Sequence, residues 1–535
     1  MRKLRGSARA LVAMVGIATV LPATAAAAAG STARTHSAGA SSMSNIIPAP
    51  VFQHSDPAES FRIRPWTPIT YDLFKPSSRQ VANYLAGLLR PATGYPLPVV
   101  PAVVHPLPGI NLELHGAPAS VGPQGYTLSV RRGGVQIAAN STDGLFNGVQ
   151  TLRQLLPAEV ATHHRLHTPL RVAGGEITDY PRYAYRGAML DVARHFFGVS
   201  TVEHYVDDLA RYKVNYLHLH LTDDQGWRIQ IDSWPNLTKH GAGSEVGGGP
   251  GGFYTKAQYR QIVRYAAARH ITVIPEIDLP GHTNAALSSY AELNCDGVAP
   301  KMRTDIDVGY SSLCVDKPIT YTFVNDVIKE LAAMTPGPYI HIGGDEANST
   351  SKADYLTFMH KVIPIAARYG KKIDGWHQYA AANPPADSLV QYWGTGPSDA
   401  DQLAAELHGQ KVVLSPANKA YLDQMYNKNS RIGLHWTGYT SVRDSYHWNP
   451  ATILLSSVPQ PEVAGVEAPL FSETMLNLAD IEYLTFPRLP GIAEIGWSPQ
   501  STHDWSSYAQ RLAAQAPRWR AAGINYYVSP MIDWN

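Results

Sequence analysis

Two adjacent carboxylates, Asp345 and Glu346, follow a pair of glycines in the segment 341–346, His-Ile-Gly-Gly-Asp-Glu. A carboxylic acid can protonate the oxygen of a glycosidic bond, and a second carboxylate can assist the departure of that oxygen. In the ordinary retaining mechanism the two carboxyl groups lie about 5–5.5 Å apart across the bond. Neighbouring side chains on a strand project to opposite faces, so this pair is poorly placed for that role. The nucleophile must then lie elsewhere in the chain or in the substrate.

A 2-acetamido group on the substrate could supply that nucleophile. Its carbonyl oxygen would attack the anomeric carbon and close an oxazolinium ring. The first carboxylate, Asp345, would then orient and polarise the amide, and Glu346 would be the general acid. We expect Gly343 and Gly344 to keep the preceding backbone free of bulk, so that a sugar can approach closely.

Eight short apolar segments separated by helical segments must position these residues. The candidate strands are 188–192, 216–221, 272–277, 339–342, 372–375, 390–393, 412–415 and 463–470. Helices are expected between them, including 202–212, 259–268, 321–334 and 355–369. The alternation favours a (β/α)8 barrel over a doubly wound sheet, which would normally show a glycine-rich phosphate turn after its first strand.

A barrel collects its functional groups where the strands end, and polar and aromatic residues do follow these segments. They include Asp191, Arg194, His195, Asp223, Asp278, His282, Asp345, Glu346, Trp376, Trp393, Tyr421, Asp423 and Glu473. Carboxylates combined with tryptophans suggest glycoside hydrolysis, because indole rings stack on the apolar faces of a pyranose.

The pattern of residues 46–178 predicts a small α+β domain, to which we assign a supporting and not a catalytic role. Ser77 or Ser78 could cap a helix at 79–89 that ends before Pro91, and a second helix is expected at 144–156. Strands are expected at 109–114, 125–130 and 135–139. The barrel is expected to occupy 179–535.

Charge and composition exclude some classes of partner. With 44 basic and 43 acidic residues, the chain has no positive excess to neutralise a phosphate backbone, so we expect no nucleic-acid binding. The 11 Trp and 29 Tyr are compatible with sugar stacking, although large cores also use these residues. No cofactor and no obligate protein partner are indicated.

Residues 1–30 resemble an export signal. A basic head (Arg2, Lys3, Arg5 and Arg9) precedes an apolar run of eleven residues at 10–20 and an alanine-rich tract. Such a run is too short to span a bilayer, which needs about 20 apolar residues. Residues 31–45 read as a flexible lead-in. We therefore expect a secreted protein without a membrane anchor.

The chain has two cysteines, Cys295 and Cys314. In an oxidising compartment a pair this close is expected to form a disulfide, which would stabilise the fold by about 3 kcal/mol on the chain-entropy model. The alternative is two buried thiols.

Four segments resemble the β-N-acetylhexosaminidases of glycoside hydrolase family 20, in particular secreted bacterial exo-enzymes. They are 189–196, 218–227, 278–282 and 341–346, and the likeness extends over the mature chain. The resemblance implies a retaining, substrate-assisted mechanism that releases terminal N-acetylhexosamine from chitooligosaccharides or glycans.

The resemblance also implies a role for each matching residue. Glu346 would be the acid and base, Asp345 would hold the acetamido N–H, and Tyr421 would bind the acetamido carbonyl. The remaining positions would bind the sugar or support the acid: Arg194 at the 3- and 4-hydroxyls, Asp423 and Glu473 at the 4- and 6-hydroxyls, Trp376 and Trp393 around the acetyl methyl, Trp436 at the outer edge, and Asp223 and His282 behind the acid.

One position departs from the family pattern. The family usually has Leu-Trp-x-Glu where this chain has Leu470-Phe471-Ser472-Glu473. Phenylalanine can stack on a pyranose, but it offers less area than tryptophan and no N–H donor. We therefore expect weaker substrate binding than in a tryptophan version.

Three alternatives remain open at this point. His218, His220, His282 and His341 could assemble a metal site, although the first two precede a strand end and should lie deeper in the barrel. An endo-acting chitinase-like barrel would normally show an Asp-x-x-Asp-x-Asp-x-Glu strand, which is not found. A silent carbohydrate-binding protein should have lost its acid, whereas Glu346 is present.

Overall fold

The computed structural model describes residues 43–102, 107–162, 164–166, 170–454 and 462–534. The expected signal segment 1–30 and residues 31–42 of the lead-in lie outside the described residues. Met43–Asn45, the end of the predicted lead-in, instead form a 3₁₀ turn in which Met43 is buried. No helix among the described residues is both long and apolar enough to cross a membrane.

The small domain is a seven-stranded mixed sheet with two helices. Its strand order is β1-β7-β5-β6-β4-β2-β3. The strands are Phe52–Arg62 (β1), Ile69–Asp72 (β2), Val99–Ala102 (β3), Gly109–Glu113 (β4), Tyr126–Arg131 (β5), Gly134–Ala139 (β6) and Arg171–Asp179 (β7), and the helices are Ser78–Thr93 (α1) and Thr142–Leu155 (α2). Sequence reasoning found β4, β5, β6 and both helices.

Helix α1 does not end before Pro91 as predicted. It continues to Thr93 and stops at Gly94, whose φ of 65° lies in the left-handed region. The Gly94 N–H donates to the carbonyl of Arg90 and closes the last turn. Proline costs the helix one hydrogen bond, but burial of Ala92 and Thr93 favours the extra turn. Ser77 precedes the helix, but its side chain makes no capping bond.

The second domain is the predicted (β/α)8 barrel. Its eight strands are parallel and follow the order β14-β13-β12-β9-β8-β17-β16-β15. They are Tyr185–Asp191 (β8), Tyr216–His220 (β9), Thr272–Glu276 (β12), Tyr339–His341 (β13), Lys372–Asp374 (β14), Leu389–Tyr392 (β15), Lys411–Leu414 (β16) and Val463–Ala468 (β17). A single bridge between Trp376 and Gln391 joins β14 to β15, so the barrel is nearly closed. A two-stranded hairpin, Thr222–Asp223 (β10) and Gly226–Trp227 (β11), follows β9.

The helices surround this barrel. They are Val199–Ala210 (α3), Asn236–Lys239 (α4), Lys256–Ala267 (α5), Asn284–Ser289 (α6), Pro318–Ala332 (α7), Lys352–Arg368 (α8), Pro397–Glu406 (α9), Ala417–Ala420 (α10), Val442–Tyr446 (α11), Pro450–Ile453 (α12), Leu478–Thr485 (α13), Arg488–Trp497 (α14), Trp505–Ala513 (α15) and Ala516–Ala522 (α16).

Four of these helices begin three residues earlier than predicted. The predictions began α3, α5, α7 and α8 near their first large apolar residue, whereas the structure begins them after an N-cap. Thr255 forms a capping box with Gln258 at the start of α5, and the Ser351 side chain accepts from the Asp354 N–H in α8. The first turns of α5 and α8 carry polar residues, so apolar periodicity alone misses them.

A buried ion pair joins the two domains. Lys213 Nζ lies 2.8 Å from Asp179 Oδ2, and both side chains are fully buried. The Tyr126 hydroxyl also donates to Oδ2 at 2.7 Å, and Trp497 Nε1 donates to Oδ1 at 2.8 Å. A buried carboxylate is tolerated only when its oxygens are satisfied, and here both domains supply the donors.

The predicted disulfide between Cys295 and Cys314 is confirmed. The double variant Cys295→Ser/Cys314→Ser should lose about 3 kcal/mol of stability, because the bridge removes conformational freedom from the unfolded chain. Calorimetry should show a lower melting temperature for the variant. Reductant should lower the melting temperature of the parent to the same value and leave the variant unchanged. Equal melting of parent and variant without reductant would contradict this prediction.

Candidate active site

The twelve predicted catalytic and sugar-binding residues line one cavity of about 540 Å³ at the carboxyl ends of the barrel strands. These residues are Arg194, Asp223, His282, Asp345, Glu346, Trp376, Trp393, Tyr421, Asp423, Trp436, Phe471 and Glu473. The carboxyl end of the strands is the face on which barrels of this class build their active sites.

The loop after β13 carries the two adjacent carboxylates. Gly343 and Gly344 have φ values of 66° and 104°, a region that favours glycine. The expected reason for these glycines is wrong. A Cβ on Gly343 would lie 1.6 Å from Asp278 Oδ1, and one on Gly344 would press on Tyr355 and Tyr379. The absent side chains therefore make room for the protein's own packing and not for a sugar.

The two carboxylates do not project to opposite faces. Both follow the strand, and Glu346 has a left-handed φ of 42°, so strand alternation does not apply. His282 Nε2 lies 3.2 Å from Glu346 Oε2 and 3.8 Å from Asp345 Oδ2. The pair shares one imidazole. Any mechanism must therefore use two carboxylates that lie close together beside His282.

His282 belongs to a buried relay behind Glu346. Its Nδ1 contacts Asp223 Oδ1 at 3.2 Å, and Arg194 Nη2 lies 2.8 Å from Asp223 Oδ2. Burial alone would lower the pKa of His282, but Asp223, Asp278 and Asp345 raise it well above its usual value. Burial would raise the pKa of Asp223, but Arg194 and His282 lower it further than burial raises it. The relay therefore presents an imidazolium to the carboxylate pair.

Asp345 is a perturbed carboxyl group. Burial raises its pKa to about 6, with Glu346 adding to the increase and His282 opposing it. Its Oδ1 is buried and has no hydrogen-bond partner among the described residues. A buried acceptor without a partner costs stability, which is typical of a group that awaits a substrate donor.

Three ionisable groups, Arg194, Asp423 and Glu473, line another part of the cavity. Arg194 is 5% exposed and Asp423 is 1% exposed. Burial raises the pKa of Asp423 to about 6 and that of Glu473 to about 8, although Arg194 opposes the rise at Glu473. Glu473 Oε2 is buried without a hydrogen-bond partner among the described residues. These groups offer both donors and acceptors to sugar hydroxyls.

Aromatic rings form the rest of the wall. The Phe471 ring centroid lies 5.4 Å from that of Tyr421 and 6.2 Å from that of Trp376. Trp393 and Trp436 meet edge to face at 6.1 Å. Trp376 is buried, whereas Trp436 is 54% exposed, so the wall runs from the interior to the rim.

The three interior histidines considered as metal ligands lie deeper in the barrel and beside Glu276. His218 Nε2 lies 2.9 Å from Glu276 Oε2, His341 Nδ1 lies 3.0 Å from Oε1, and His220 Nδ1 is hydrogen-bonded to Oε2. Burial would lower the pKa of His218, but Glu467 and Glu276 raise it to about 10. Each of these three histidines therefore has a buried carboxylate as its partner.

Sequence reasoning gave no role to several residues at this site. Asp278 contacts the catalytic loop by accepting from the Gly344 N–H at 3.1 Å. It could have been singled out because it follows β12 beside His282. Ile306, Val308, Leu434 and His435 also line the cavity, but they come from loops whose position no local pattern indicates.

An eight-stranded barrel with carboxylates, an arginine and tryptophans around one cavity at this rim is typical of a glycoside hydrolase. Comparison with known proteins agrees. The model of glycosyl hydrolase family 20, catalytic domain, matches residues 183–500, and that of domain 2 of the same family matches residues 43–180. The chain belongs to glycoside hydrolase family 20, and it is an enzyme of the β-N-acetylhexosaminidase type.

Individual relatives cover nearly the whole chain. It is 39% identical to a β-N-acetylhexosaminidase of Cellulomonas fimi over 91% of this chain and 97% of that protein. The solved structure of the family 20 β-N-acetylhexosaminidase of Streptomyces coelicolor A3(2) is 54% identical, with a TM-score of 0.90 over 93% of this chain and all of that one. The N-acetyl-β-hexosaminidase of Streptomyces plicatus in complex with Thio-NAglucal is 56% identical, with a TM-score of 0.89 over 93% of this chain and 99% of that one.

Replacement of Phe471 tests the one departure from the family pattern. Phe471→Trp should lower KM for an aryl N-acetylglucosaminide a few-fold, because a larger ring buries more of the sugar's apolar face. Phe471→Leu is the matched control, and it should raise KM. Steady-state kinetics would contradict the prediction if Phe471→Trp left both KM and kcat unchanged or worsened both.

Proposed function

We propose that this protein is a secreted exo-glycosidase that releases terminal non-reducing N-acetyl-β-hexosamine with retention of configuration. Its substrates would be chitooligosaccharides or glycans with a terminal N-acetylglucosamine, and N-acetylgalactosamine is the epimer to compare. The observation that carries the proposal is the convergence of Asp345 and Glu346 on His282, beside an aromatic pocket. No cofactor enters the reaction.

The proposed first step uses the substrate's own amide. The acetamido oxygen attacks the anomeric carbon as Glu346 gives its proton to the leaving oxygen, so the glycosidic bond breaks and an oxazolinium forms. Asp345 accepts a hydrogen bond from the acetamido N–H and balances the positive charge of the oxazolinium ring. The Tyr421 hydroxyl donates a hydrogen bond to the amide oxygen. In the second step Glu346 takes a proton from water, which opens the ring with retention.

The acetamido group fits beside Asp345 for two reasons. The unpartnered Oδ1 of Asp345 is an acceptor for the N–H. Trp376, Trp393 and Tyr421 line the same cavity and can enclose the methyl group. In an ordinary retaining enzyme the two carboxylates lie on opposite sides of the scissile glycosidic bond. Asp345 and Glu346 instead both approach the imidazole of His282.

Exo action is supported by two buried ionisable groups in the lining of the cavity. Arg194 and Asp423 are buried there, and they can bind the hydroxyls of a terminal sugar. A continuing polysaccharide would have to displace these charges. Endo cleavage and a silent binding function are therefore not favoured, since Glu346 also retains its contact with His282.

The acid assignment is tested by Glu346→Gln. With an aryl N-acetylglucosaminide we expect kcat to fall by about 10²–10⁴, the usual contribution of a general acid. The parent should cleave matched gluco- and galacto-configured N-acetyl substrates but not the 2-hydroxy glucoside, and a thiazoline mimic of the cyclised sugar should inhibit it. A variant as fast as the parent would refute the assignment.

Full activity after exhaustive chelation would exclude metal catalysis.

The raised pKa of Asp345 predicts an acid limb in the pH profile. Below pH about 6 this carboxyl is protonated and cannot accept the N–H or balance the oxazolinium charge. The kcat/KM of the parent should therefore fall as the pH drops through about 6. Asp345→Asn should lower kcat/KM and remove this limb. Asp423→Asn is the matched control, because burial also raises the pKa of Asp423 to about 6, and it should keep the limb. A limb that persists in Asp345→Asn would contradict the assignment.

A further inference from the structure

The carboxylate of Glu276 lies at the end of β12, fully buried behind residues that line the cavity. Its Oε1 accepts a hydrogen bond from Trp376 Nε1 at 2.8 Å. Its Oε2 is hydrogen-bonded to His220 Nδ1 and lies 2.9 Å from His218 Nε2. One carboxylate thus holds two residues of the cavity wall at fixed separation.

The contact with His220 leads to Glu346, the proposed acid. His220 Nε2 lies 3.0 Å from Asp223 Oδ2, and Asp223 Oδ1 contacts His282 Nδ1 at 3.2 Å. His282 Nε2 then reaches Glu346. The contacts from Glu276 to Glu346 are unbroken, and every residue between them is at least nine-tenths buried, so water does not loosen the chain.

The contact with Trp376 leads to the wall of the pocket. Trp376 is 1% exposed, and its indole packs against His341, with ring centroids 5.0 Å apart, and against Phe471. The bond to Glu276 uses the indole's one N–H donor and therefore fixes the ring in its plane. Trp376 is the wall against which the acetyl methyl is proposed to pack.

We propose that Glu276 is a positioning residue that holds the proton relay of Glu346 and the acetamido pocket in register with each other. This inference rests on the proposed function. In a substrate-assisted step, the amide must reach the anomeric carbon while the leaving oxygen is being protonated, so the two parts of the site must be correct together. The buried carboxylate of Glu276 is bonded to Trp376 in the pocket wall and to His220 in the relay, so it fixes the position of one relative to the other.

The isosteric variant Glu276→Gln breaks this arrangement. A carboxylate accepts at both oxygens, whereas a carboxamide has one accepting oxygen and one donating NH₂. Trp376 and His220 donate to different oxygens of Glu276, so one of them must face the NH₂. An unmet donor in a buried site is costly, and either the relay or the wall must shift.

Two substrates with different leaving groups separate these effects from a general loss of structure. Dinitrophenolate leaves without protonation, whereas the sugar leaving group of chitobiose needs the acid. In Glu276→Gln we expect kcat/KM for chitobiose to fall at least about tenfold more than for the dinitrophenyl N-acetylglucosaminide, as partial loss of general-acid catalysis predicts. The inhibition constant of the thiazoline mimic should rise about tenfold, since the pocket wall moves as well.

Two variants serve as matched controls. Glu467→Gln removes another buried carboxylate, which shares His218 with Glu276 but contacts neither Trp376 nor His220. It should reduce the rates with both substrates by the same factor and leave thiazoline inhibition unchanged. Trp376→Phe removes the indole N–H that donates to Glu276 and keeps the bond between Glu276 and His220. It should therefore weaken thiazoline inhibition without a leaving-group effect. If Glu276→Gln does not fold, Glu276→Asp is measured instead, because the shorter side chain keeps the charge but cannot reach both partners.

Equal losses for the two substrates together with unchanged thiazoline inhibition would overturn the role of Glu276. A parent enzyme that does not cleave the dinitrophenyl substrate at all would instead overturn the proposed function, and this inference with it. The two failures are therefore distinguishable in one set of measurements.

Discussion

Charges in the interior of the barrel must be paired, and this constraint organises the site. An ionised carboxylate buried without a partner is strongly disfavoured. Glu276, Glu467 and Asp223 each contact an imidazole, Glu276 also accepts from an indole N–H, and Asp223 also contacts a guanidinium. Glu276, His220, Asp223 and His282 alternate in sign, and the last of them reaches both reacting carboxylates. The orientation of the proposed acid is thus set by contacts that begin deep in the barrel.

Two oxygens around the cavity are exceptions to this pairing. Among the carboxylates that line the described cavity, Asp345 Oδ1 and Glu473 Oε2 are buried without a hydrogen-bond partner. Burial raises the pKa of both groups, to about 6 and about 8. Unpaired acceptors at the proposed substrate site fit a preorganised site, because the protein holds its polar groups ready and avoids reorganisation during the reaction.

Much of this arrangement could be predicted from the sequence. Parallel strands bring their carboxyl ends to one rim, so the polar and aromatic residues that follow eight apolar segments were expected to converge, and those given a role in binding or catalysis line the cavity. Phe471 and Trp436 line it as well, but only the resemblance to the family indicated these two. The ends of the eight barrel strands were predicted to within three residues. Four strands of the small domain, β1, β2, β3 and β7, were not predicted, because their pairing depends on residues far apart in sequence.

The errors at the site have a common origin. Alternation along a strand was applied to Asp345 and Glu346, but the chain leaves the strand at His341 and Glu346 takes a positive φ. The glycines were assigned to the sugar, whereas Asp278 fills the space beside Gly343. Glu276 was given no role because its partners come from two other strands and a loop. Each of these facts depends on tertiary contacts that no local pattern contains.

The central claim is that the substrate's amide is the nucleophile, and a series of fluorinated N-acyl substrates tests it most directly. Aryl glucosaminides with acetyl, fluoroacetyl, difluoroacetyl and trifluoroacetyl groups differ mainly in the electron density of the amide oxygen. If that oxygen attacks the anomeric carbon, kcat should fall steeply and steadily along the series. A kcat that does not change with fluorination, or a covalent enzyme–sugar ester trapped on a carboxylate, would contradict the account.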